Sequence, residues 1–142
     1  MRTKILNKFR FLLTFLLFGS LLLTTSVAQS NNWKAPVSAK KIKNPLAKVV
    51  SASKKGKLLF KTNCAVCHGE KGKGDGIAAV ALNPKPANLS SDRVKKETDG
   101  EIFWKITNGK AAMPAWKGTL KTKQRWQLVN YIRTLQKQKN KK

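Results

Sequence analysis

The feature that most constrains this chain is the pentapeptide Cys64–His68, C-A-V-C-H, which contains both of its cysteines and its one histidine. Two cysteines are too few for a scaffold of several disulfides or for a four-cysteine zinc site. One histidine is too few for a His-rich metal site or for a catalytic triad with a second histidine to spare. Chemistry that needs a thiol or an imidazole must therefore be built at this single segment.

The C-x-x-C-H spacing is typical of the covalent attachment of a c-type haem. Two thiols separated by two residues at a helix end can form thioether bonds with the two vinyl groups of one porphyrin. The next residue, His68, then lies under the iron, where a neutral imidazole nitrogen can bind axially. The alternatives are a thioredoxin-like redox pair, which needs a βαβ setting that this sequence lacks, and a basic binding module with a short disulfide and no haem. Neither explains His68, so we predict one covalent haem c held by Cys64, Cys67 and His68.

Methionine is equally scarce, with only Met1 and Met113 in the chain. Met113 lies in Ala112–Trp116, A-M-P-A-W, between two predicted helices, and Pro114 restricts the preceding backbone to an extended conformation. By elimination we predict that Met113 is the second axial ligand, so that His68 and Met113 are the metal ligands. Both axial positions would then be filled, which favours electron transfer over catalysis, and no catalytic residue is predicted. If Met113 is instead a core residue, ligand binding or peroxidatic activity becomes the alternative.

The first 28 residues have the order of a secretory signal peptide. A basic start is followed by an apolar run over Phe11–Leu23 and by the small residues Ser26–Ala28 before Gln29. The apolar run is shorter than the ~20 residues that a transmembrane helix needs. We therefore predict a signal peptide at 1–28 and an exported, periplasmic protein, with an uncleaved membrane anchor as the alternative.

The charge of the chain limits its partners. The 142 residues include 30 Lys and Arg against 6 Asp and Glu, which gives a formal charge of +24. Removal of residues 1–28 takes away four basic residues and no acidic ones, so the exported chain still carries +20. Such a charge is typical of proteins that bind nucleic acid, anionic membranes or acidic proteins, and export argues against nucleic acid. We expect a monomer with acidic redox partners, such as a terminal oxidase or a reductase, and peripheral membrane contact as a further option.

Composition divides the exported part of the chain into three segments. Residues 29–50 are rich in lysine and contain two prolines, which predicts a linker or extended arm. Residues 51–135 are the predicted haem domain, and residues 136–142 are a basic tail that we expect to be disordered. Within the domain, residues 69–91 are rich in glycine and proline and are predicted to be a loop.

Three helices are predicted in the domain. The first starts after Ser53, its expected N-cap, and ends at the cysteines. The second begins with the capping-box spacing of Thr98 and Glu101 and ends at Gly109. The third covers about 123–136, where apolar residues recur at i, i+3, i+4 and i+7. Since no segment alternates like a strand, we predict an all-α domain with long loops.

Beyond the pentapeptide, residues 51–135 resemble a class I cytochrome c of the bacterial monohaem type. Gly56 and Phe60 match the family's N-terminal helix, where the glycine permits close contact with the C-terminal helix. Further matches are Leu128 and Tyr131 in the C-terminal helix, Gly69 after the histidine, Gly109, and M-P-A-W at 113–116. The resemblance implies the cytochrome c fold, all-α, with three main helices and long loops wrapped around one covalently bound haem.

The resemblance also implies roles for single residues. The family has a proline whose carbonyl accepts a hydrogen bond from the haem-ligating imidazole; Pro84 or Pro86 would match it, and Pro84 is preferred. It implies a single-electron carrier, not an enzyme, that shuttles electrons between exported or membrane redox complexes. The alternative is a haem enzyme or sensor in which Met113 leaves the iron to admit a small ligand.

Overall fold

The computed structural model describes residues 33–137, and all structural statements below concern this part of the chain. The predicted signal peptide at 1–28 and most of the predicted tail, residues 138–142, lie outside the described residues. The described part is helical. Its α-helices are α1 (Val50–Asn63), α2 (Ala65–His68), α3 (Asp92–Lys95), α4 (Asp99–Asn108) and α5 (Thr122–Lys137), and its 3-10 helices are Val37–Lys41 and Ile77–Ala81.

Residues 33–137 contain no β-strand, only an isolated bridge between Lys110 and Met113. The prediction of an all-α domain is therefore confirmed. Within the same residues, no helix combines the length and the apolar composition needed to cross a bilayer.

Helix α4 begins and ends where its local sequence predicts. The Thr98 side chain accepts a hydrogen bond from the Glu101 N–H, while the Glu101 carboxylate accepts one from the Thr98 N–H at 2.7 Å. This capping box satisfies two backbone donors that would otherwise lack a partner at the helix N-terminus. Gly109 is the C-cap. The helix carries Ile102 and Ile106 into the core.

Helices α1 and α5 form the main helix pair of the domain. At Gly56 the absence of a side chain lets the backbone of α1 approach α5, since a Cβ there would lie 1.9 Å from the carbonyl oxygen of Gln127. One turn later Phe60, which is 1% exposed, packs on Tyr131 with ring centroids 5.1 Å apart. The close crossing thus depends on Gly56, Phe60 and Tyr131, three of the positions that carry the resemblance to class I cytochromes c.

The limits of α1 and α5 differ from those predicted. Ser53 is not an N-cap, because the helix already begins at Val50 and the Ser53 hydroxyl donates to the Val50 carbonyl inside the first turn. The Val49 N–H donates to the Leu46 carbonyl, so the chain turns into the helix earlier than the serine suggests. Helix α5 covers the predicted range, but it also takes in the start of the tail that was predicted to be disordered, since Gln136 is buried and donates to the Leu89 carbonyl.

The predicted arm lies against the helices. Ala39 is fully buried, and its carbonyl reaches α4 at Gly100, where a Cβ would lie 2.1 Å from the oxygen. The Asn44 amide donates to the Asp99 carboxylate at 2.8 Å and to the Asn130 amide oxygen at 2.7 Å. These partly buried polar contacts join the arm to both α4 and α5.

The start of the described chain also packs on α4. The Trp33 ring lies 6.4 Å from that of Trp104, and the ammonium of Lys105 lies 5.5 Å from the Trp33 ring centroid. Aromatic pairs and cation–π contacts at such distances are stabilising. The folded unit therefore includes residues from Trp33 onward.

Candidate haem-attachment site

The pentapeptide consists of Cys64, which caps the end of α1, and the four residues of α2. The N–H of Cys64 donates to the carbonyl of Phe60 and closes α1, so the first cysteine is the C-cap of that helix. The N–H groups of Cys67 and His68 then donate to the Cys64 carbonyl at 3.1 and 2.8 Å. The structure thus brings both thiols and the imidazole together on one short helix at the end of α1.

Both cysteines are free thiols, and each is partly buried. Burial, reinforced by the neighbouring Cys67, raises the pKa of Cys64 to about 12. The Cys64 thiol is therefore protonated at neutral pH, unlike the low-pKa cysteine of thioredoxin-like redox pairs. Two free thiols on adjacent turns of the chain fit thioether formation with one porphyrin.

The imidazole of His68 is held by the backbone of the long loop. Its Nδ1 lies 3.1 Å from the carbonyl oxygen of Ala87. Because a carbonyl only accepts hydrogen bonds, Nδ1 carries the proton and Nε2 keeps its lone pair. Burial lowers the pKa of His68, opposed by the hydrogen bond to Ala87. A neutral imidazole with a fixed ring and a free Nε2 is the form that binds a metal ion.

The carbonyl that accepts this hydrogen bond belongs to neither predicted proline. Pro84 and Pro86 were the expected acceptors, and both assignments are wrong. The Pro86 carbonyl faces Gly74, where a Cβ would lie 2.3 Å from its oxygen. The next carbonyl, at Ala87, is the one that accepts from His68. The sequence carries no signal that selects this carbonyl.

The loop after the histidine folds back over the pentapeptide. The Gly74 N–H donates to the His68 carbonyl at 2.8 Å, and the Gly76 N–H donates to the Cys67 carbonyl at 3.1 Å. Because Gly74 also has a φ of 82°, a side chain at this position would be strained as well as obstructed. The loop thereby satisfies backbone acceptors of the motif and fixes their positions.

Met113 lies in a separate loop, between α4 and α5. Its N–H and C=O form two hydrogen bonds with Lys110, at 3.0 and 2.9 Å, which close a tight turn. The Trp116 N–H ties the next part of the loop to the Ile106 carbonyl at 3.1 Å. The partly buried side chains of Met113 and Cys64 pack against the same hydrophobic core. The loop is thus anchored to α4 on the same core that the first cysteine contacts.

Arg125 supports the base of this loop, a role that the sequence analysis missed. The side chain is buried, and its guanidinium donates to the hydroxyls of Thr107 and Thr122 at 2.7 and 3.1 Å. It also lies 5.1 Å from the Phe103 ring centroid. The Thr107 carbonyl in turn accepts from the N–H of Lys117. A basic residue on the buried face of a helix is the only sequence signal for this anchor.

Within residues 33–137, no group of three or more His, Cys, Asp or Glu side chains is arranged to hold a metal ion. The described residues therefore offer a thiol pair and a single imidazole, not a cage made of protein ligands alone. This donor set fits a metal that arrives inside a porphyrin. Cys64 and Cys67 would attach the porphyrin, and His68 would face its iron.

Comparison with known proteins agrees with this chemistry. The model of the family described as cytochrome c oxidase, cbb3-type, subunit III, matches residues 51–132. Cytochrome c6 of Leptolyngbya boryana is 36% identical over 78 residues, which are 54% of this chain and 85% of that protein. The cbb3-type cytochrome c oxidase subunit CcoP of Azospirillum brasilense is 30% identical over 86 residues, 60% of this chain but only 29% of that protein.

Among solved structures, a chain of the reducing HAO-like protein complex of Kuenenia stuttgartiensis is similar in fold. Its TM-score is 0.54 at 23% identity, and the match covers 66% of this chain and 46% of that chain. The family match spans more than half of the sequence, and the pentapeptide lies within it. The protein therefore belongs to this c-type cytochrome family, and it is a monohaem class I cytochrome, an electron carrier with covalently attached haem c.

Proposed function

We propose that His68 and Met113 would ligate the haem iron, and that the protein carries single electrons between exported or membrane redox proteins. The observation that carries this proposal is the Met113 loop, in which two hydrogen bonds with Lys110 close the turn and the Trp116 N–H donates to the Ile106 carbonyl of α4. When bound, the haem supplies an iron that changes its oxidation state by one electron. Cys64 and Cys67 would hold the porphyrin, and His68 and Met113 would ligate its iron.

The assignment of His68 rests on its hydrogen bond to Ala87, which leaves only Nε2 free for a metal. Second-shell hydrogen bonds of this kind orient an imidazole and increase its basicity. The assignment of Met113 rests on scarcity and on position. Met1 is the only other methionine, and a thioether is the soft ligand that raises the reduction potential of a haem iron.

Two filled axial positions leave no open site at the iron for a substrate. This supports electron transfer without catalysis, in keeping with the cytochrome c6 relatives. The alternative is a haem enzyme or sensor in which a small ligand displaces Met113. That alternative requires the Met113 side chain to move away from the iron, while two hydrogen bonds with Lys110 hold its backbone in place.

The surface beside the pentapeptide is suited to a redox partner. Val66 is half exposed, and the Gly76 hydrogen bond to Cys67 brings the exposed 3-10 helix Ile77–Ala81 next to it. The exposed basic residues of the same loop are Lys71, Lys73 and Lys85. We propose that this apolar surface with its lysines docks an acidic patch of a terminal oxidase or a reductase, as one monomer against the partner. Such encounters are accelerated by opposite charge and weaken with salt.

The site of action is proposed to be the periplasm. The support is the signal-like order of residues 1–28, with its basic start, apolar run and small residues before Gln29. Mass spectrometry of the naturally produced protein tests this proposal. A chain that begins at Gln29 supports a released carrier, and an intact Met1 supports a membrane-anchored one.

The decisive experiment compares Met113→Ala and Met113→His with the unchanged protein and with Ala112→Ser, an exposed neighbour, as the control. Each variant should keep covalent haem, seen by haem staining of a denatured gel. Met113→Ala should lower the reduction potential by on the order of 100 mV, within the ~0.8 V range that axial ligands span. It should also remove the weak far-red band of methionine-ligated ferric haem and allow the reduced protein to bind carbon monoxide.

Met113→His should lower the potential without admitting carbon monoxide, because an imidazole again fills the sixth position. An unchanged potential and spectrum in Met113→Ala would show that Met113 is not a ligand. Rapid carbon monoxide binding by the unchanged reduced protein would support the enzyme or sensor. A protein that gives no haem-stained band after expression with the haem-attachment machinery would support a binding module without haem.

A further inference from the structure

Acidic residues are absent from a large part of this protein. All six of them lie between residues 70 and 101. The arm and α1, residues 33–63, contain lysines but no acid, and every one of these lysines is exposed. They are Lys34, Lys40, Lys41, Lys43, Lys48, Lys54, Lys55, Lys57 and Lys61. In the described part of the chain, one of these lysines forms an ion pair: the Lys61 ammonium lies 3.6 Å from the Glu70 carboxylate on the surface. The positive charge of residues 33–63 is therefore almost uncompensated.

Helix α1 separates its core and solvent faces clearly. Ala52, Gly56 and Phe60 are buried against the rest of the domain. The outward face carries an aligned set at spacings of about one, two and three helical turns. This set, which we name the α1 stripe, consists of Val50, Lys54, Lys57, Leu58 and Lys61. At a rise of 1.5 Å per residue it extends over about 16 Å along the helix.

The α1 stripe combines charge with exposed apolar side chains. Val50 is 80% exposed and Leu58 is 68% exposed. The large apolar side chains exposed in the described residues fall into two groups only: Val37, Ile42, Val49, Val50 and Leu58 on the arm and α1, and Val66, Ile77 and Val80 beside the pentapeptide. The described residues after 101 also carry exposed lysines, yet none of the exposed large apolar side chains is found there. Charge alone therefore does not distinguish the stripe from the described residues after 101, but the combination of charge with exposed apolar side chains does.

We propose that the α1 stripe, supported by the arm lysines, binds the surface of a bilayer rich in anionic phospholipid. Lysine ammonium groups would pair with lipid phosphates, while Val50 and Leu58 would enter the headgroup layer, as apolar residues of interfacial helices do. The α1 stripe lies on one continuous helix, and a helix surface that combines lysines with exposed apolar side chains is the form in which a segment binds an anionic membrane surface. The arm also continues directly from residues 1–32, which contain an apolar run and no acid.

This proposal concerns a surface that takes no part in iron ligation, and it does not depend on the axial ligands. Its consequence is a carrier that diffuses along a membrane. Movement in two dimensions would keep the haem domain near membrane-bound redox proteins, and the apolar surface beside the pentapeptide would remain a separate docking surface.

The test is co-sedimentation of the haem-loaded protein with vesicles of phosphatidylcholine, alone or mixed with phosphatidylglycerol. The variant Lys54→Gln/Lys57→Gln/Lys61→Gln is compared with Lys110→Gln/Lys117→Gln/Lys121→Gln, which removes the same charge from another exposed acid-free surface. At ~1 kcal/mol per basic residue near an anionic surface, the stripe variant should bind the mixed vesicles about 100-fold more weakly. The control variant should stay within about threefold, since charges away from the membrane are screened by salt.

A second variant, Val50→Ser/Leu58→Ser, keeps every charge and should weaken the binding that persists at higher salt. Circular dichroism and the haem spectrum establish that each variant is folded. Equal losses in the two lysine variants would mean binding by net charge alone and would overturn the proposal. Binding to pure phosphatidylcholine that no variant weakens would assign membrane contact to residues 1–32 and would overturn the proposal. Failure of the unchanged protein to bind the mixed vesicles would overturn it as well. None of these outcomes bears on whether Met113 binds iron.

Discussion

The crossing of α1 and α5 predicts that Gly56 tolerates no side chain. A Cβ at this position would lie 1.9 Å from the carbonyl oxygen of Gln127 and 3.0 Å from the Cβ of Tyr131. The atom that it meets first belongs to the backbone of α5, so a change of rotamer cannot relieve the overlap. To restore van der Waals contact, the two helices would have to separate by about 1.5 Å.

The effect of Gly56→Ala on the free energy of unfolding is the sum of two destabilising contributions and one stabilising contribution. Forced overpacking in a core costs about 1–3 kcal/mol. Separation of the helices also weakens the contact of Phe60 with Tyr131, and such an aromatic pair contributes about 0.5–1.5 kcal/mol. Alanine is favoured over glycine inside a helix by about 1 kcal/mol, which offsets part of the loss. The expected net decrease in the free energy of unfolding is about 2 kcal/mol.

The measurement is equilibrium unfolding of the haem-loaded protein in guanidinium chloride, followed by circular dichroism at a helix-sensitive wavelength. Gly118→Ala is the matched control, because a Cβ at Gly118 meets no atom within 4 Å. That substitution should leave the free energy of unfolding unchanged or raise it slightly, through the lower entropy of the unfolded chain. If Gly56→Ala were as stable as Gly118→Ala, the close contact between the two helix backbones would be refuted.

Two further predictions concern local contacts. Thr98→Ala should destabilise the protein by about 1 kcal/mol, because the Glu101 N–H loses its acceptor, while Thr98→Ser should restore the stability measured by the same unfolding assay. Burial, with a smaller effect of Glu70, raises the pKa of Tyr131, the single tyrosine, so its phenolate absorbance should appear above the ordinary range near pH 10 and be absent from Tyr131→Phe. Because the pKa of Tyr131 is higher in the folded state, the stability that the neutral phenol contributes should be complete below the unfolded-state pKa and lost as pH rises through the folded-state pKa. If the difference in stability between the unchanged protein and Tyr131→Phe were the same below the unfolded-state pKa and above the folded-state pKa, this expectation would be contradicted.

The parts of the structure that sequence could predict are those fixed by neighbouring residues. The capping box of Thr98 and Glu101 joins residues three positions apart, and the C-x-x-C-H turn is closed by the backbone of Cys64. Their geometry follows from spacing alone. Composition and spacing also predicted the covalent haem c, because the scarce cysteines and the single histidine are residues that a c-type haem uses.

Contacts between distant residues were harder to predict. The acceptor for His68 is Ala87 because of the path that the loop takes past Gly74, and glycine and proline content indicates a loop without giving its path. The arm was expected to be a linker or extended segment because it is basic and contains prolines. Its attachment depends on a few polar side chains, such as Asn44 with Asn130, whose separation in sequence leaves no periodic pattern.

Helix α1 links stability, cofactor attachment and the proposed membrane contact through three separate parts of its surface. The inner face packs on α5 at Gly56, the C-terminal end presents Cys64, and the outer face carries the α1 stripe. Because substitutions at distant, independent sites add in free energy, changes on the outer face should alter vesicle binding without altering unfolding. Gly56→Ala should do the reverse. If Lys54→Gln/Lys57→Gln/Lys61→Gln lowered the free energy of unfolding as much as Gly56→Ala, the outer face would be part of the packed core. It would then not be available to bind a membrane.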